Sequence, residues 1–186
     1  GSQVITISES TKLDLINLGL TEWDSVRIVS PGVDIMTGIK STKTKYPSFS
    51  YIGRLKHYKN IDVLLKAFQS VVKTVPSARL TIAGTGEEFL NLRKLSRELN
   101  INKSVNFVGK VTEEEKARIL ARTWVAIQPS SIEGWGITVI EANAYGTPVI
   151  ASNVNGLKDS VVDGKTGLLV EAKNDSLFAK AMGELI

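Results

Sequence analysis

From Phe49 onward, short apolar runs alternate with stretches in which apolar residues recur every three or four positions. That alternation leaves little room for anything but a parallel sheet flanked by helices. Runs at 49–52, 80–83, 105–108, 125–128, 149–151 and 168–170 read as strands. Most are apolar throughout, as strands covered on both faces are. Between the first two, Ile61, Leu64, Leu65, Phe68, Val71, Val72 and Val75 follow an i, i+3, i+4, i+7 spacing that predicts a helix with one buried stripe. Pro76 ends it, because its ring cannot continue the helical ladder. Further helices are expected over 87–99, 112–122, 136–145 and 174–185, and Thr112-Glu113-Glu114-Glu115 has the arrangement of a capping box.

Residues ahead of Phe49 follow another pattern. An apolar run at 4–7, a helical stretch at 11–18 and a second apolar run at 26–29 read as a βα unit with a following strand; Ser30-Pro31-Gly32 and a polar stretch to Ser48 read as a linker. The chain therefore divides into 1–30, 31–48 and 49–186. No internal repeat or low-complexity tract interrupts it.

Composition removes several classes of chemistry. With no cysteine there is no disulfide framework and no thiolate nucleophile, and with His57 as the single histidine there is no histidine cluster for zinc. No apolar run approaches the roughly 18 residues of a membrane span, and Gly1-Ser2 reads as a cloning scar rather than a signal peptide, so a cytoplasmic location is expected. The net charge of +4 is uneven: between Lys40 and Lys66 seven cations face only Asp62, which leaves the remainder of the chain at −2. Such a segment suits an anionic partner, and it equally suits lysines solvated on loops.

The strongest site signal is Ser130-Ser131-Ile132-Glu133-Gly134-Trp135-Gly136-Ile137-Thr138-Val139-Ile140-Glu141-Ala142, which follows one expected strand and opens one expected helix. Glu133 falls on the loop and Glu141 about one turn into the helix, so both can face a crevice at the carboxyl end of the sheet. Amides from Gly134 to Thr138, with the positive end of the helix, suit an anion there. The same spacing also fits Glu133 as a helix cap and Glu141 as a surface residue. A second candidate is Tyr51-Ile52-Gly53-Arg54-Leu55-Lys56-His57-Tyr58-Lys59-Asn60-Ile61, where Arg54 offers a fork and Lys59 a point charge, as a diphosphate requires. Solvation alone would also make that loop basic. His57 reads as an exposed loop residue.

Two weaker glycine sites follow strands. Gly84-Thr85-Gly86 lacks the third glycine and the distant acid of a dinucleotide fingerprint, and no P-loop is present. Gly109-Lys110-Val111 fits a plain turn, or a turn that meets a base or ribose.

The ordered segments GRLKHYKN, LTIAGTGEE, VNFVGKV, IQPSSIEGWGITVIEANAYGTPVIAS and NGLKDSVVDGKTGLLV closely resemble the carboxyl-terminal half of glycosyltransferase family 4 (group 1), enzymes of the GT-B architecture. The resemblance covers about 49–186. It implies a Rossmann-like, three-layer α/β domain with a parallel sheet, preceded by a βα fragment of the amino-terminal domain and a hinge, the acceptor-binding bulk of that domain being absent. It further implies that Arg54 and Lys59 hold the diphosphate of a nucleotide sugar, that Glu133 meets hydroxyls of the transferred sugar, and that the backbone of Gly134, Trp135, Gly136 and Ile137 binds sugar and phosphate. By the same resemblance Glu141 receives the ribose hydroxyls, Gly109, Lys110 and Val111 lie near the base, and Gly53, Gly84 and Thr138 complete the substrate site. Three departures stand out, namely Ser-Pro-Gly in the hinge where Pro-Asn-Gly is usual, Trp135 for the commoner Phe, and EANAYG for EAMAxG; none removes a charged contact.

The expected activity is sugar transfer from UDP or GDP with retained anomeric configuration and without metal or other cofactor, the acceptor being a glycan, lipid or protein. Other readings are a nucleotide-sugar binding module without catalysis, a sugar phosphorylase or a nucleotide-sugar epimerase. Nucleic acid is not an expected partner, since Tyr51 and Tyr58 form no stacking platform. Lys40 to Lys45 could rest on the inner face of an anionic membrane.

Overall fold

The computed structural model describes residues 3–40 and 42–186. Gly1-Ser2, read above as a cloning scar, and Ser41 of the linker lie outside the described residues. The six expected strands are present as β3 (Ser48–Ile52), β4 (Arg79–Ala83), β5 (Val105–Gly109), β6 (Val125–Gln128), β7 (Val149–Ser152) and β8 (Gly167–Val170). They form one parallel sheet in the order β5-β4-β3-β6-β7-β8. The chain thus builds outward from β3 in one direction, returns to the middle at β6 and builds outward in the other. In such a doubly wound sheet, ligands bind outside the carboxyl ends of the two central strands, where the direction of winding reverses.

Helices alternate with the strands: α2 (Ile61–Thr74), α3 (Phe89–Glu98), α4 (Glu113–Arg122), α5 (Ile137–Ala144), α6 (Leu157–Ser160) and α7 (Asp175–Glu184). The expected ends of the longer helices hold to within two residues. Helix α6 and the 3₁₀ turns Trp23–Ser25 and His57–Lys59 were not foreseen, because elements of three or four residues are too short to show a period. Alternate residues of each strand enter opposite cores. Phe49, Tyr51, Leu80, Ile82, Val125, Ile127 and Ile150 pack with α2, α3 and α7, whereas Ile52, Ala83, Ala126, Val149 and Ala151 pack with α4, α5 and α6. The apolar stripe of α2 is buried as its spacing predicts, and Phe68 meets Phe49 edge-on at 6.0 Å. The capping box opens α4, with the Glu115 amide donating to Thr112 Oγ1 (3.2 Å) and the Thr112 amide donating to Glu115 Oε2 (2.8 Å). Those bonds from Thr112 hold the Glu115 carboxyl below its usual range.

The centre of the sheet is paired unequally. Strand β3 matches β4 along all of Ser48–Ile52, yet pairs with β6 only at Phe49–Val125 and Ser50–Ala126. Beyond that point the ladder gives way to a side chain, as buried Gln128 donates from Nε2 to the Ile52 carbonyl at 3.3 Å. The two central strands part toward their carboxyl ends.

The first part of the chain is strand β1 (Val4–Thr6), helix α1 (Glu9–Asn17) and strand β2 (Val26–Ile28), with β1 and β2 paired in parallel. Helix α1 begins two residues earlier than its spacing suggested, since Ser8 caps it by accepting from the Thr11 amide at 3.1 Å. This unit docks on α6: the Ser10 amide donates to Asp159 Oδ1 (3.2 Å) and Asn155 Nδ2 to Asp14 Oδ2 (3.1 Å). Its outer faces leave Ile5, Leu18, Leu20 and Val29 exposed. The following stretch is stitched to the main domain by the Met36 amide donating to the Tyr145 hydroxyl (3.0 Å), the Thr44 amide to the Arg122 carbonyl (3.1 Å) and Trp124 Nε1 to the Thr44 carbonyl (2.8 Å).

Leu64 faces the β3 side of the core with no exposed surface. Its truncation removes packed methylenes and leaves a cavity, so Leu64→Ala should destabilise the fold by about 2–5 kcal/mol. Urea unfolding checks this through a lowered midpoint at unchanged slope.

Candidate active site

The two loops that leave β3 and β6 face each other across the opening between those strands. Arg54, Tyr58 and Lys59 from one loop and Ile132, Glu133 and Gly134 from the other line a cleft of about 300 Å³. Lys59 forms an ion pair with Glu133 in which both side chains are largely buried. Arg54 stays exposed and donates from Nη2 to the Tyr58 hydroxyl at 2.8 Å, while the Lys59 ammonium lies 5.1 Å from the Tyr58 ring centroid. Two cations therefore flank one aromatic ring at the mouth of the sheet.

Backbone geometry fixes this arrangement from beneath. The Tyr51 hydroxyl donates to the Arg54 carbonyl at 2.8 Å. Burial, then the negative charge of Glu133, pushes that hydroxyl up from its ordinary range, so it remains a neutral donor. Asn60 holds the loops together: its Nδ2 donates to the Pro129 carbonyl (2.9 Å) and to Ser131 Oγ (2.6 Å), while the Ser131 amide donates to the Tyr58 carbonyl (2.8 Å). Asn60 is left-handed, at φ 49°, a conformation that asparagine tolerates better than most side chains. Gly156, which leads into α6, lies so close that a Cβ there would overlap the Glu133 carbonyl, and its own φ is +84°. A Cβ on Gly84 would overlap the Gly53 carbonyl in the same way.

Consecutive amides from Gly134 to Thr138 lead into α5 and donate to no protein acceptor among the described residues. Trp135 Nε1, Gln128 Oε1 and Ser130 Oγ, on or just before the same loop, are buried without a hydrogen-bond partner there. The arrangement offers an anion two cations and a row of peptide N–H groups at the positive end of a helix.

Not every expected site residue joins this cleft. Glu141 lies on α5 with its side chain 13% exposed, and its Oε1 accepts from Lys116 of α4 at 2.6 Å. It is neither a free surface residue nor a helix cap, and the residue that caps α5 is Gly136 rather than Glu133. Gly109 ends β5 and its carbonyl accepts from the Gly84 amide at 2.7 Å. Lys110 and Val111 line a separate cavity of about 410 Å³ between α4 and the sheet, together with Arg79, Arg118 and Arg122. That cavity is larger, but it lacks the facing loops and the row of open amides.

The basic segment also divides. Lys66 pairs with Asp62, Lys56 with Glu87, and Lys43 turns inward to the Thr123 carbonyl at 2.7 Å, where burial pushes its pKa down. Lys40 and Lys45 are exposed. His57 is exposed, as its loop position implied. Asn60, Lys116 and Gly156 were not singled out from the sequence. A glycine and an asparagine beside a turn look ordinary there, and an ion pair 25 positions apart carries no local signal.

Asn60 yields a measurable split. Asn60→Ala loses both loop bonds and strains the left-handed backbone, at about 2–4 kcal/mol in all, whereas Asn60→Gly loses only the bonds and should cost about half as much. Urea denaturation of both variants separates the two contributions.

Residues 36–186 match the family of Glycosyl transferases group 1. A D-inositol 3-phosphate glycosyltransferase of Corynebacterium urealyticum is 30% identical over 181 residues, which takes in 87% of this chain and 43% of that protein. A glycogen synthase of Mycobacterium tuberculosis is 29% identical across 98% of this chain and 45% of its own length. The chain thus spans about half the length of the curated relatives it matches. Among solved structures, the lipopolysaccharide outer core galactosyltransferase WaaB superposes with a TM-score of 0.86 at 24% identity, over 100% of this chain and 54% of WaaB. HepE of Anabaena, solved with UDP and glucose, gives 0.83 at 19% identity, over 99% of this chain and 53% of HepE. At such identities the likeness speaks to fold, which is the Rossmann-like three-layer domain of GT-B glycosyltransferases.

Proposed function

The chain belongs to the Glycosyl transferases group 1 family, and on that footing we propose that it is the donor-binding half of a retaining, metal-independent sugar transferase of family 4 that works from a nucleoside-diphosphate sugar. The carrying observation is the cleft at the winding reversal, where Arg54 and Lys59 stand opposite Glu133 and the open amides that lead into α5. In this reading 49–186 binds the nucleotide sugar, 31–48 is a hinge, and 1–30 is a remnant of an acceptor domain. The apolar surface that β1, α1 and β2 leave open supports that last assignment, since surface of that kind suits burial against further chain. The acceptor, a glycan, lipid or protein, would meet the sugar from that side.

Transfer breaks the bond between the sugar's anomeric carbon and the diphosphate oxygen, whose electrons stay with the diphosphate. The acceptor oxygen bonds to that carbon, and its proton ends on the departing phosphate. Charge develops on the phosphate, so preorganised donors aimed there lower the barrier most. Arg54 supplies a bidentate fork. The Lys59 ammonium has three hydrogens, so it can keep Glu133 and still donate to a phosphate oxygen. Pairing with Lys59 makes Glu133 a poor nucleophile, which supports its role as an orienting acceptor for sugar hydroxyls. Glu141 would receive the ribose hydroxyls.

Calorimetry with UDP, GDP and ADP tests the binding half of this reading, and one of the three should bind at the cleft. In the full-length enzyme, Arg54→Ala or Lys59→Ala should lower turnover by about 10²- to 10³-fold, the usual cost of one preorganised contact to developing charge. Unchanged turnover refutes the diphosphate assignment. A second reading, for these residues taken alone, is a nucleotide-sugar binding module without catalysis, favoured by a cleft lined by the loops after β3 and β6 alone. Binding without donor hydrolysis would support it.

A further inference from the structure

We propose that Lys116 is a positioning residue that makes the nucleotide site selective for ribose over deoxyribose, by pinning one carboxylate oxygen of Glu141 and leaving the other to accept. This rests on the assignment of Glu141 to the ribose given above. Lys116 stands in the first turns of α4 and reaches across to α5, where its Nζ lies 2.6 Å from Glu141 Oε1. The same ammonium holds Glu113 Oε2 at 2.6 Å, so it is anchored from its own helix as well. Glu113 is 80% exposed and shares its charge with solvent, whereas the Lys116 and Glu141 side chains are only 20% and 13% exposed.

Two consequences follow from that asymmetry. Glu141 has no other ion-pair partner among the described residues, so Lys116 is the group that fixes the place of its carboxylate in a mostly buried setting. Burial opposes the charge on Lys116, but the hydrogen bonds to Glu113 and Glu141 outweigh it and push the Lys116 pKa up, so the ammonium stays charged. Oε1 is committed to the ammonium, and Oε2 has no protein partner among the described residues. A carboxylate held in this way accepts from a pair of neighbouring hydroxyls and donates to nothing. Released from Lys116, the same side chain can change rotamer and no longer holds that oxygen at a fixed point.

The test compares UDP, GDP and ADP with their 2′-deoxy counterparts by calorimetry on the whole chain, taking the base that binds most tightly. The unaltered protein should favour the ribose form by about 10- to 100-fold, the value of a hydrogen bond to a charged acceptor. In Lys116→Met that preference should fall to about threefold or less, and Lys116→Arg should keep it, because a guanidinium still supplies the charge. Where Lys116→Met does not fold, Lys116→Gln, which keeps a hydrogen-bond donor without charge, carries the same expectation. A folded Lys116→Met or Lys116→Gln that retains the full preference overturns the positioning role. If no diphosphate binds, or the unaltered protein treats both sugars alike, the ribose assignment itself falls and this inference with it.

Discussion

Everything at the site depends on how briefly β3 and β6 remain paired. After two matched residues their backbones separate, and a glutamine side chain, Gln128, takes over the bond that the ladder no longer makes. A parallel sheet wound outward from its centre in both directions needs no ligand to create this opening, since the helices on either side of the reversal lie on opposite faces. The gap places the loop with Arg54 and Lys59 across from the loop with Glu133, and Asn60 then fixes their separation through the Pro129 carbonyl and Ser131. Without those bonds the loops would still be tied by the Ser131 amide to the Tyr58 carbonyl and by the Lys59–Glu133 pair, with less to fix their separation.

Charge in the cleft is arranged around this frame. Lys59 is paired before any anion arrives, so its desolvation is already offset by Glu133. Any anion entering the cleft would meet a cation that is held in place, with Arg54 exposed beside it and a row of peptide N–H groups opposite. The larger cavity beside α4 has more cations, but Arg118 is paired with Glu114 and Arg79 donates to the Pro76 and Ala78 carbonyls. Number of positive residues is therefore a poor guide to where an anion will settle; the unbonded amides from Gly134 to Thr138 beside the cleft are a better one.

Much of the fold was legible because it rests on local patterns. Strands covered on both faces announce themselves as apolar runs, and the seven apolar positions from Ile61 to Val75 admit one helix phase. The loop from Ser130 to Thr138 was legible as well, since glycines between a strand and a helix have few structural uses. Illegible features were those that depend on distant partners or on very short elements. The bond between Lys116 and Glu141, the role of Asn60 and the packing of α1 on α6 each join residues that no spacing rule connects. The basic segment divides for a physical reason, since Lys66, Lys56 and Lys43 meet Asp62, Glu87 and the Thr123 carbonyl while Arg54 and Lys59 line the cleft.

Helix α6, only four residues long, touches two parts of the molecule at once. Its flanking Asn155 and its own Asp159 grip α1, while Gly156 presses against the peptide of Glu133. Four residues leave little room for bending, so the leading strand-helix-strand unit and the Glu133 loop lean on one short support. The described part of the first thirty residues thus shares its footing with the Glu133 loop, although none of it lines the cleft.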